Sequence, residues 1–132
     1  MVLDVEAAPK LRRTFTLWDI SSELRFEFLR STFYKGSVGL ILVFYLTRKE
    51  TFTEVTTKWF PEVQQSTSNT IPFLLSGNYL EKLNPTSNET KVNFIQSFLK
   101  KQNCVYIQTT STDNAKVLGG IRELARRITT SK

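Results

Sequence analysis

Val38-Gly39-Leu40-Ile41-Leu42-Val43-Phe44-Tyr45-Leu46 is the longest apolar run in the chain. A strand that is apolar on both faces belongs in a parallel sheet with helices on each side. The run falls far short of the roughly 20 residues that cross a bilayer. Downstream, Thr70–Gly77, with Ile71, Phe73, Leu74 and Leu75, and the short Cys104–Gln108 read as further strands. Helical stripes separate them. Glu50–Gln65 aligns Phe52, Val55, Trp59 and Val63, and Thr90–Gln102 aligns Val92, Ile95, Phe98 and Leu99. Asn84–Asn88 is a polar turn, and Asn114–Thr129 closes the chain with Val117, Ile121, Leu124, Ala125 and Ile128 facing inward. Pro61 removes a hydrogen bond and crowds the preceding turn, so a kink is expected near Thr57. Gly119 and Gly120 each cost a helix about 1 kcal/mol, which points to close packing on the sheet.

Upstream of the apolar run, Glu23–Phe33 has an imperfect helical spacing, ended by Tyr34-Lys35-Gly36. Met1–Ala7 and Leu11–Ile20, joined by the turn Ala8-Pro9-Lys10, predict an antiparallel hairpin. The order β-β-α-β-α-β-α-β-α describes one α/β domain, residues 1–132: a hairpin followed by parallel βα units.

The chain has 132 residues, a net charge of +6 and a pI near 9.6, but its basic residues are scattered. No run reaches the five or six like charges of an interaction tail, and no nucleic-acid recognition motif accompanies them, so no nucleic-acid partner is expected. A basic adaptor for acidic or membrane surfaces is the reading that the charge alone favours. One cysteine, Cys104, permits no intrachain disulfide and fits a reducing compartment, hence a cytoplasmic location. The absence of histidine excludes Ser-His-Asp and Cys-His catalysis and the usual histidine metal sites. No signal peptide or lipidation pattern is visible.

Several segments in order resemble the Ras superfamily of small GTPases. Leu17-Trp18-Asp19-Ile20-Ser21-Ser22-Glu23-Leu24-Arg25-Phe26 resembles WDTAGQERF, and Phe33–Thr47 resembles YYRGAxGxIxVFDxT. Lys58-Trp59-Phe60-Pro61-Glu62-Val63 is similar to the Rho-like KWxPEV, whereas the earlier segment is Rab-like. Leu75-Ser76-Gly77-Asn78 resembles LVGN, Gln108-Thr109-Thr110-Ser111 resembles ETSA, and Ile121–Ile128 is similar to the last helix.

The resemblance implies a three-layer P-loop NTPase, Ras-like sheet of order 2-3-1-4-5-6. It also implies that the first strand, P-loop, first helix and switch I threonine lie before residue 1. A GxxxxGK(S/T) loop cradles phosphates with backbone amides and a lysine, and nothing in these residues matches it. By resemblance, Asp19 is a vestigial Mg²⁺ position. Asn78, Glu81, Thr109 and Thr110 are degenerate guanine-site positions, with Tyr79 standing where the motif NKxD has lysine. Ser22 and Glu23 replace the glycine and glutamine that face the γ-phosphate. Asp19 at a strand end is more often a cap of the following helix, and Asn78 reads equally as a loop brace. Trp18 and Trp59 read as core or interface residues, Cys104 as a small buried one, and the C-terminal arginines as a solvated face.

The expected function is a non-catalytic, GTPase-like module acting through protein–protein interaction in signalling or trafficking. No catalytic residue and no cofactor are expected for the chain alone. The alternative is a GTP- or GDP-binding small GTPase, with Mg²⁺, whose P-loop comes from another chain or a missing N-terminal segment; any enzyme activity would then be GTP hydrolysis. Without the central strand, backbone groups on either side of the gap lack partners, which is costly when buried. Leu11–Ile20 could pair directly with Val38–Leu46, a partner protein or homodimer could complete the sheet, or the chain could be a fragment.

Overall fold

A computed structural model describes residues 2–19, 27–67, 71–79, 92–102, 104–110 and 112–130. Strands β1 (Val2–Ala8) and β2 (Leu11–Thr16) form the expected antiparallel hairpin, pairing Val2 with Thr16 and Ala8 with Leu11. Pro9 presets the first turn position and Lys10 takes a left-handed φ of 62° at the second. Helix α1 (Glu27–Lys35) follows and ends before Gly36.

The apolar run becomes β3 (Leu40–Tyr45), parallel to β4 (Phe73–Asn78), which is parallel to β5 (Val105–Gln108). Every residue from Phe73 to Gly77 is buried, as a central strand covered on both faces requires. On one face Leu42, Phe44, Phe73 and Leu75 pack against α2 (Lys49–Glu54), α3 (Phe60–Ser66) and α4 (Val92–Lys101) through Phe52, Phe60 and Ile95. On the other, Leu74 and Val105 meet Leu124 and Ile128 of α5 (Asn114–Thr130). Phe15 of the hairpin joins this second cluster, so α5 ties the hairpin to the sheet.

Three expectations are refined. The kink near Thr57 is a π-helical turn, Val55–Trp59, which seats Pro61 at the start of α3, where a missing N–H costs little. A Cβ on Gly120 would stand 3.0 Å from Ile107 Cδ1, so close packing explains that glycine. Gly119 has nothing within 4 Å of such a Cβ, and packing on the sheet does not explain it. The third concerns sheet closure. Among the described residues, β2 pairs only with β1 and β3 only with β4, so the hairpin does not pair directly with β3. The polar turn expected at Asn84–Asn88 lies outside the described residues.

Candidate functional site

The loops leaving β4 and β5 bring Asn78, Thr109 and Thr110 together. Asn78 Oδ1 accepts the Tyr79 N–H at 2.8 Å and the Thr109 hydroxyl at 3.2 Å. The Thr109 N–H donates to the Gly77 carbonyl at 2.8 Å. Tyr79 holds a φ of 65° and lays its ring against Tyr45, with centroids 4.8 Å apart. Asn78 therefore braces two loops, and what its side chain has left to offer a ligand is the amide NH₂. Asp113 Oδ1 accepts the Lys116 N–H at 3.1 Å and caps α5. The cavity beside these residues holds about 210 Å³, below the usual 300–1,000 Å³ of small-molecule sites. Asp113 is its only charged lining residue, so the described lining offers a phosphate no cation.

Glu81, Ser22 and Glu23 lie outside the described residues. Asp19 is exposed and lines a different cavity from Asn78 and Thr109. No group of three metal-ligating side chains gathers among the described residues. Mg²⁺ usually binds through one or two carboxylates together with substrate phosphates. Asp19 by itself does not make such a donor set.

The larger cavity, about 730 Å³, separates the hairpin from the sheet. One wall is β2 and the residues after it, Thr14–Asp19; the opposite wall is Val38–Val43. Helix α5 contributes Ile121, Leu124 and Ile128, and α1 and α3 contribute Tyr34 and Val63. At its mouth Trp18, 63% exposed, lies against Phe33 with ring centroids 5.3 Å apart.

A charged clamp closes one side. Arg30, only 2% exposed, donates from Nε and Nη2 to Glu62 Oε2 and Oε1 at 3.2 and 3.0 Å, and the Tyr34 hydroxyl donates to Oε2 at 2.7 Å. Arg30 also lies over the Trp59 ring, 5.2 Å from its centre. Burial works against the Glu62 charge, yet the bonds from Arg30 and Tyr34 outweigh it and hold the carboxyl below its ordinary range. Burial, reinforced by Glu62, keeps the Tyr34 phenol protonated well above its usual range. Sequence reading missed this clamp. The available signal was an arginine falling three residues before Phe33 and four after Phe26, on the apolar stripe of a helix.

A family model described as the Ras family matches residues 4–130. The chain belongs to the Ras family. This Ras-family chain is 31% identical over 120 residues to the Ras-related protein RABC2a of Arabidopsis thaliana, covering 89% of this chain and 55% of that protein. It is 29% identical over 118 residues to the Ras-related protein Rab-18-B of Danio rerio, covering 89% and 56%. With the GTP-binding protein ypt3 of Schizosaccharomyces pombe it shares 27% over 101 residues, covering 76% and 46%. The chain thus spans about half the length of the curated relatives it matches. No helix among the described residues is long and apolar enough to cross a membrane.

Proposed function

We propose that this Ras-family chain is a non-catalytic module that works by binding another protein, in cytoplasmic signalling or trafficking. The observation that carries the reading is the apolar cavity between β2 and β3, whose facing edges have no strand partner among the described residues. The larger of the two cavities described above is lined mainly by apolar side chains and strand backbone, a surface suited to polypeptide. The cavity beside Asn78 and Thr109, in contrast, is small and carries a carboxylate where a nucleotide would bring negative charge. These 132 residues also contain no glycine- and lysine-bearing phosphate loop.

Titrating the 132-residue chain with fluorescent GDP and Mg²⁺ tests the proposal. No saturable binding up to 100 µM is expected, and micromolar or tighter binding overturns it. One observation favours a second reading, a nucleotide-binding GTPase completed by a P-loop from elsewhere: Asn78 and Thr109 remain joined at the ends of β4 and β5. That reading expects tight GDP binding once in-frame upstream residues, or a second chain bearing the loop, are added.

A further inference from the structure

The last turn of α5 places two arginines just before a threonine, in the order Arg126-Arg127-Ile128-Thr129. The arginine side chains are 50% and 32% exposed. Both bind Glu123, Arg126 from Nε and Nη2 at 3.0 and 2.6 Å and Arg127 from Nε at 3.4 Å. Ion pairs this exposed are worth little, so a denser negative charge can draw the arginines away from Glu123. Thr129 is half-buried, and its hydroxyl donates to the Ala125 carbonyl at 2.9 Å. That carbonyl also serves the helix ladder, so losing the hydroxyl leaves it a partner.

The position in the helix makes the threonine accessible. The last four carbonyls of a helix have no partner in their own ladder, and chain segments at helix ends open more easily than the middle. Opening the final turn releases one buried side chain of residues 127–130, Ile128. An opened turn has the extended form that an enzyme cleft can take in. Arg48 and Lys49 stand in the same relation to Thr51, but there the hydroxyl bonds the backbone of Tyr45 and Arg48 at 2.8, 3.3 and 2.7 Å and links β3 to α2.

We propose that Thr129 is a phosphorylation site for an arginine-directed protein kinase. A cleft lined by carboxylates selects a hydroxyl through the guanidinium groups two and three positions before it, by charge-assisted, bidentate bonds. Thr129 Oγ1 attacks the γ-phosphorus of ATP, the bond to the β–γ bridging oxygen breaks, ADP leaves, and the hydroxyl proton passes to the kinase's catalytic carboxylate. The product carries close to two negative charges at the negative end of a helix dipole. It also competes with Glu123 for Arg126 and Arg127. Both effects loosen the final turn and with it Ile128, which shares a cluster with Leu74 and Val105 of the sheet and Phe15 of the hairpin. Phosphorylation therefore relaxes the tie between α5 and the hairpin. This regulation does not depend on what the cavity binds.

The test treats the folded 132-residue chain with ATP, Mg²⁺ and the catalytic subunit of cAMP-dependent kinase, and locates the phosphate by mass spectrometry. Phosphate on Thr129, approaching one per chain, is expected. Arg126→Ala should lower kcat/KM at least tenfold. Glu123→Gln weakens the same ion pairs but keeps both arginines, and should not slow the reaction. Amides of β1 and β2 should exchange at least threefold faster in the modified chain. No phosphate, phosphate on Thr51, Thr130 or Ser131 in place of Thr129, or equal slowing by Glu123→Gln overturns the proposal. Unchanged exchange in the hairpin overturns its coupling to the last turn of α5.

Discussion

At the scale of single residues, the two adjacent glycines of α5 separate propensity from packing. Both carry the same helical penalty, but only Gly120 is pressed by neighbours, Ile107 and Leu74. Gly119→Ala should raise stability by about 1 kcal/mol, whereas Gly120→Ala should show none of that gain because Ile107 must give way. Urea melts of the two variants check this. Cys104 offers a second residue-level measurement. Burial, only partly opposed by Arg127, pushes its thiol up to about 11. Thiolate is the reactive form, so disulfide reagents at pH 8 should label Cys104 more slowly in the folded chain than in urea. Equal rates would contradict its half-buried setting against the main core.

Between elements, the contact to probe is the Arg30–Glu62–Tyr34 clamp of α1 against α3. Removing Glu62 takes the carboxylate from a buried guanidinium, so Glu62→Ala should cost about 3 kcal/mol. The pH dependence follows from the same geometry. The folded carboxyl is held below its ordinary value of 4.5, so near that pH the unfolded chain binds more protons. The clamp's contribution is present above that range and is lost as pH falls through the lower folded value. Stability measured at pH 7, 5 and 3.5 should drop more steeply on the acid side in the parent than in Glu62→Gln.

Legibility in the sequence divides by range. The apolar run of β3 and the stripes of α4 and α5 are local patterns, and they end within a few residues of where they were expected. Pro61 announced a disturbance, yet the π-helical form it takes depends on seating Phe52, Val55 and Phe60 in one core. Arg30 and Glu62 are 32 residues apart, and no periodicity links them. For the candidate site, Asn78, Thr109 and Thr110 came from motif order, and in the structure they line one cavity. Asp19 falls in the other cavity, because a motif string carries no distance.

For the molecule as a whole, the two sheets are unequal. Most of β1 and β2 is exposed or half-buried, while β4 is buried almost throughout. Local opening is easiest where few apolar contacts are lost. Amides of the hairpin should therefore exchange at least tenfold faster than those of Leu74 and Leu75. Uniform protection across both sheets would show that the hairpin and the parallel strands unfold as one unit.

The edge of β3 that has no strand partner among the described residues also bears on abundance. A site filled only in the folded state adds stability that grows with the concentration of whatever fills it. Without an occupant, an apolar strand edge is a template for aggregation and a mark for quality control. With a partner protein filling that site, as proposed, the steady-state level of this chain in a cell should follow the partner's supply. Excess copies would be cleared first, in the manner of an orphan subunit.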